Sequence, residues 1–186
     1  TGSFLRSGVE LLAGIPSVVY GFFGLVIIVP FVRLLGPGTG LSVLAASLIL
    51  GIMILPTVIT VAQSALDAVP ARYYEGALAL GVDHEHAVFK VVAPAAASGI
   101  MAAIVLGLGR AIGETMAVVM VAGNMPIIPD SLLSGVRTMT ANIVLEMGYA
   151  ADLHREALIA TGVVLFVFIL LITMLLNVIR KRGEAR

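Results

Sequence analysis

Four runs of apolar residues, broken by short polar segments, set the layout of this chain. They run from Ser17 to Leu35, Leu41 to Gln63, Ala95 to Ala122 and Ala157 to Ile179. A helix that crosses a bilayer needs about 20 apolar residues, and each run meets that length. Gly36-Pro37-Gly38-Thr39-Gly40 predicts a tight turn between the first two runs. Pro16 suits the first turn of the first helix, where its missing N–H is not needed. Pro30 and Pro56 fall inside predicted helices and should bend them. Of the polar segments, Phe4 to Ala13 predicts a short interfacial helix. Ile143, Val144 and Met147 predict another over Thr138 to Met147, stopped by Gly148.

Composition turns these runs into membrane spans. Hydrophobic residues make up 60% of the 186 residues and charged residues 12%, with a mean hydropathy of +1.11. A soluble domain is about half apolar and about a quarter charged, so that class is excluded. The formal net charge is zero, which gives no field for nucleic acid or an acidic partner. There is no Cys, so disulfides, thiolate metal sites and Cys nucleophiles are excluded. There is no Trp, so Tyr and Phe must supply any interfacial belt. The chain starts at Thr1 without a signal-peptide pattern, and is expected to be a piece of a longer protein.

Lys and Arg counts orient the spans. With the C-terminus inside, the inner segments hold Arg6, Arg72, Lys90, Arg180, Lys181, Arg182 and Arg186. The outer segments hold Arg33, Arg137 and Arg155. The inner surplus predicts a cytoplasmic C-terminus, a cytoplasmic 64–93 segment and an outward 123–156 segment.

Arg110 and Glu114 interrupt the third apolar run. A charge at mid-membrane costs a few kcal/mol on insertion scales and usually marks function. Spacing i, i+4 puts both side chains on one helical face, where they can meet and Glu114 can hold Arg110 in place. Arg offers a planar fork of donors matched to phosphate oxygens. Glu114 would offset its charge when no anion is present, and Thr115 would add a hydroxyl. A structural ion pair that fixes helix register is the competing reading.

The 64–94 segment predicts a helix–turn–helix on the inner face. Pro70 opens the first helix, Gly81 closes it in a left-handed turn, Asp83 caps the second, and Pro94 marks re-entry. A hairpin with a polar surface can dock into a partner's groove as a lever. Its pattern is Glu75-Gly76-Ala77, three residues, Gly81, nine residues, Val91, one residue, Ala93-Pro94. This resembles the EAA loop of ABC-importer permeases, departing from it at Gly76, Val91 and Ala93 with the spacing intact. The resemblance implies that Glu75, Gly76, Ala77, Gly81 and Pro94 belong to the element that couples to a cytoplasmic ATPase. A plain interfacial hairpin is the alternative.

Gly107-Leu108-Gly109-Arg110-Ala111-Ile112-Gly113-Glu114-Thr115-Met116-Ala117-Val118 resembles a segment of phosphate-importer permeases of the PstC type. So do the runs from Ala13 to Gly21 and from Thr140 to Ile143. The resemblance covers nearly the whole chain. It implies an all-α polytopic bundle, the type I ABC-importer permease fold, over residues 1–186, with further spans expected N-terminal to them. It further implies a multi-pass inner-membrane subunit that passes inorganic phosphate by Arg110, Glu114 and Thr115. Its partners would be a homologous permease subunit, cytoplasmic ATP-binding subunits, an extracytoplasmic phosphate-binding protein and the lipid bilayer. ATP hydrolysis would lie in the partner, so the chain is expected to have no catalytic residue and no cofactor. A permease for sulfate or molybdate, a non-transporting scaffold or signalling subunit, and an ion-coupled secondary transporter are the alternatives.

The remaining signals are weaker. His84 and His86 flank Glu85 without metal-site spacing, so no metal is expected. Gly109 and Gly113 suit close helix packing, with the wrong spacing for a dinucleotide loop. No Ser sits in a nucleophile motif. The eight Met residues read as packing. Arg180-Lys181-Arg182 reads as a headgroup anchor.

Overall fold

The computed structural model describes residues 2–184, with side chains described for residues 7–178. The inner-surplus argument and the headgroup anchor draw on Arg6, Arg180, Lys181, Arg182 and Arg186, whose side chains lie outside the described residues. Within the described residues the fold is helical, with one isolated bridge between Gly123 and Val136.

α1 (Gly2–Ala13) meets the next helical rod at 97°. The turn at Gly14-Ile15-Pro16 ends one helix and starts the other. The second rod comprises α2 (Ser17–Phe23), a π-turn (Gly24–Ile28) and α3 (Val29–Arg33). In the π-turn the Val29 N–H reaches back five residues to the Gly24 carbonyl. Pro30 follows at once, so the wider turn absorbs the ring and the missing donor. The same device recurs at Val88–Val92, just before Pro94. There the Ala93 N–H bonds the Val88 carbonyl.

α4 (Val43–Asp67) follows a loop and is capped by Ser42, whose hydroxyl accepts from the Ala45 N–H at 3.2 Å. α4 carries Pro56 internally. A hairpin of α5 (Ala71–Ala79) and α6 (His84–Ala87) leads through the second π-turn to α7 (Ala93–Ala95). α8 (Ala97–Ile112) then leaves at 67° to that segment. α9 (Met116–Val121), α10 (Met139–Glu146) and α11 (Asp152–Glu184) complete the chain. α10 is capped by the Thr138 hydroxyl, close to the sequence expectation.

α4 and α11 are each long and apolar enough to cross a membrane, and the two bent pairs bring the number of candidate spans to four. Only 6% of α11's apolar window is buried inside the molecule, so most of that surface faces lipid or a partner. The third apolar run departs from expectation. It was predicted as one helix over Ala95 to Ala122, but it starts with a bend at Ala96 and breaks at Gly113-Glu114-Thr115.

Packing centres on two seams. Val32, Ala45, Val118 and Val121 from α3, α4 and α9 are buried together at the end of the bundle beside Ser42. The loop from Gly123 to Val136 lies over this end, bonding Val43 N to Ser134 O and Val136 N to Ala122 O. The other seam joins α4 to α8 through Gly99, Ala103 and Gly107. A Cβ at Gly107 would stand 2.6 Å from Val58 Cγ2, and one at Gly99 would strike the Ala65 methyl. The small-residue face is therefore not Gly109 and Gly113. A Cβ at Gly109 would meet nothing within 4 Å. Those two glycines lie next to the helix break, off the contact stripe.

Candidate functional site

Arg110 sits in the last turn of α8, where the helix presents unpaired carbonyls and a partial negative charge. Thirteen residues separate it from Ala97, or about 20 Å of helix. Its guanidinium Nη1 donates to the Thr57 hydroxyl on α4 at 3.1 Å. Glu114 lies beyond the break, where its Oε1 accepts from the Ala117 N–H at 3.1 Å. That places the carboxylate at the positive N-terminal end of α9. No ion pair joins Arg110 to Glu114 among the described residues. The expected contact on one helical face is thus corrected, because the helix that would have supplied the i, i+4 geometry ends at Ile112. Each charge is compensated by a helix end instead of by the other.

The break satisfies its own backbone. The Thr140 hydroxyl on α10 donates to the Glu114 carbonyl at 3.0 Å. Thr115 stands at the N-cap of α9, but its hydroxyl donates to the Gly113 carbonyl at 3.3 Å. Irregular backbone at membrane depth is tolerated where it is buried in protein or lines a cavity. A cleft of about 420 Å³ opens before the break, between α8 and α11. Arg110 lines this cleft together with Gly109, Thr173 and Asn177. Glu114 and Thr115 do not. Thr57, Thr173 and Asn177 were missed at the sequence level. The signal was there, since Thr173 and Asn177 are polar residues four apart in an apolar helix.

The α5–α6 hairpin is built tightly. The Val82 N–H bonds the Ala77 carbonyl and the Gly81 N–H bonds the Leu78 carbonyl, at 3.2 and 2.9 Å. With Gly81 at φ +83, this is the Schellman termination of α5. Asp83 Oδ1 accepts from the His86 N–H at 2.8 Å and pairs with His86 Nδ1 at 2.7 Å. These bonds, the backbone one first, hold the Asp83 carboxyl below its ordinary value. The Tyr74 hydroxyl meets His84 Nδ1 at 2.8 Å, with the rings edge to face. Both histidines are thus engaged within the hairpin, and the described residues hold no group of three or more metal-ligating side chains. Glu75 and Gly76 are exposed on α5, and Ala77 is buried against the rest.

On the other side of the break, Arg137 ties the 123–156 segment together. Its Nε donates to the Asn124 carbonyl at 3.0 Å, and its Nη1 meets Glu146 Oε1 at 2.7 Å. The Tyr149 hydroxyl donates to Glu146 Oε2, and His154 stands 3.7 Å from the same oxygen. The Tyr149 bond, then the Arg137 contact, holds the Glu146 carboxyl below its ordinary value.

A family model described as binding-protein-dependent transport system inner membrane component matches residues 1–184. A probable ABC transporter permease protein, YqgH, of Bacillus subtilis is 40% identical over 97% of the chain and 59% of its own length. The phosphate transport system permease protein PstC of Mesorhizobium japonicum is 37% identical over 96% of the chain and 61% of its own. Phosphate transport system permease protein PstC 1 of Mycobacterium tuberculosis is 36% identical over 95% and 58%. The chain therefore spans about three fifths of the length of these curated relatives. No solved structure gives a significant match.

Proposed function

Because this chain belongs to the binding-protein-dependent transport system inner membrane component family, we propose that it is part of the membrane permease of an ATP-driven importer of inorganic phosphate. The observation that carries this reading is Arg110. Its guanidinium has no acidic partner among the described residues and lines a cleft large enough for an oxyanion. A fixed cation in a largely apolar wall attracts an anion that has shed its water. Thr57 occupies one donor and sets the direction of the fork. Glu114 and Thr115 act on the path from the break, by shaping the field at its outer side.

Residues 64–94 form the coupling element of the one membrane domain, with the C-terminus in the cytoplasm. Glu75 and Gly76 lie on the surface offered to an ATPase subunit, Ala77 and Gly81 fix the hairpin, and Pro94 joins it to α8. The hairpin is tied by its Schellman turn and its Asp83 cap, so a push on α5 moves it as a unit. That motion passes through the π-turn and α7 into α8, which carries Arg110. ATP hydrolysis, delivery of phosphate and the other half of the conduit belong to partner subunits. Hence this chain is not itself an enzyme.

Arg110→Ala in the assembled transporter tests the reading. Loss of phosphate uptake with normal assembly supports a conduit, whereas unchanged uptake assigns the chain a scaffolding role and removes Arg110 from the path.

A further inference from the structure

Asn177 places an uncharged amide in the apolar wall that Arg110 shares. α11 starts beside α10, since Thr161 lines a second cleft with Arg137 and Asn142. α10 is in turn bonded to the break at Glu114 through Thr140. Thr173 and Asn177, twelve and sixteen residues further along α11, therefore lie toward the Ala97 end of α8. They line the cleft opposite Ala102, Val105 and Leu106. Thr173 spends its hydroxyl proton on the Ile169 carbonyl at 2.8 Å. The Asn177 amide has no hydrogen-bond partner among the described residues. An amide without a partner on a membrane helix is costly, so such groups face a partner helix or a water-filled cavity.

We propose that Asn177 forms a second and weaker oxyanion site on the cytoplasmic side of Arg110. This rests on the phosphate-path reading above. The chemistry supports the order of the two sites. Arg110 supplies charge and draws the anion out of water. A conduit also needs sites that bind weakly enough to let the ion leave. The Asn amide supplies two N–H donors without a charge. Leu171, which is exposed on α11 and lies off the face that Thr173 and Asn177 share by their i, i+4 spacing, supplies the lipid-facing contrast.

These 186 residues hold no Cys, so a cysteine introduced here is read against the same assembled transporter without it, in membrane vesicles. Asn177→Cys and Leu171→Cys are exposed to a charged, membrane-impermeant thiol reagent, with and without inorganic phosphate. The Asn177→Cys chain should be modified and protected by phosphate, while the Leu171→Cys chain should be inert. Asn177→Leu should lower the kcat/KM of phosphate uptake by about tenfold. If Asn177→Cys is unreactive, or phosphate leaves its modification rate unchanged, the site is overturned and Asn177 is a helix-packing amide. Should Arg110→Ala abolish uptake while both Asn177 results are negative, this inference fails alone. Should Arg110→Ala leave uptake intact, the parent reading fails with it. Where Asn177→Leu impairs assembly, the phosphate protection of Asn177→Cys decides.

Discussion

Arg110 and Glu114 stand on opposite sides of a helix break, the guanidinium at the carbonyl end of α8 and the carboxylate at the N–H end of α9. Two membrane charges are thereby accommodated by two helix ends, each of the sign that favours it. Residues with no shared partner contribute to stability additively, within about 0.5 kcal/mol. The double-mutant cycle of Arg110→Gln and Glu114→Gln should accordingly close within that margin in thermal unfolding. A coupling above about 1 kcal/mol would mean that the two groups pair after all.

Glu114 acts as a cap, which separates its charge from its oxygen. Glu114→Ala leaves the Ala117 N–H without its acceptor and should cost about 0.5–2 kcal/mol. Glu114→Gln keeps the acceptor and should cost less. Equal losses for the two variants would show that charge, not capping, holds the break together.

The glycines of α8 make opposite forecasts from one composition. Gly107→Ala drives a methyl into Val58 and should destabilise by about 1–3 kcal/mol. Gly109→Ala meets open space and should be neutral, or stabilising by up to about 1 kcal/mol. Denaturation of the two purified variants ranks them. The reverse order would restore the Gly109–Gly113 stripe as the packing face.

These results show where reading the sequence worked. Local rules operate within a few residues, so Pro70, Gly81, Asp83 and Thr138 mark the same helix ends in the sequence and in the structure. The break at Gly113–Thr115 was not legible. It depends on Thr140 from a distant segment and on Glu114 turning back to Ala117. The packing stripe was missed for a related reason. Gly99, Ala103, Gly107 and the Gly109–Gly113 pair all satisfy small-residue spacing, and only the position of α4 selects among them. Arg110 was legible as a buried-span charge, but Thr57 and Asn177 became site residues only once α4 and α11 were packed beside it.

Gly76 is the position where this chain departs from the family's Glu-Ala-Ala pattern, and the structure leaves room for the missing methyl. It lies inside α5 and is exposed. Gly76→Ala should therefore stabilise the hairpin by about 0.5–1 kcal/mol. Gly81 is the counter-case, since φ +83 admits other residues only at a cost of about 1–2 kcal/mol. Hydrogen exchange of the α5 amides should slow in Gly76→Ala and quicken in Gly81→Ala. A shift of the same sign in both would contradict the backbone assignment.

The 123–156 segment should loosen in acid through Glu146. The Tyr149 hydroxyl and then Arg137 hold its carboxyl below the ordinary value. A depressed folded-state pKa stabilises the fold above the unfolded value, and the contribution is lost as pH falls through the folded value. The segment should therefore be unchanged between pH 7 and about 5, and weaken only below the ordinary carboxylate range near 4.3. Protonation removes the charge that holds the Arg137 guanidinium, and with it the link from α10 back to the Asn124 carbonyl. Exchange of the Met147 and Tyr149 amides, corrected for intrinsic pH dependence, should rise in that acid window. Glu146→Gln should already show the faster exchange at pH 7 and lose the acid step. An acid step that persists in Glu146→Gln would assign the transition to another carboxylate, of which Asp130, bonded to Ser134, is the nearest in sequence with a lowered value.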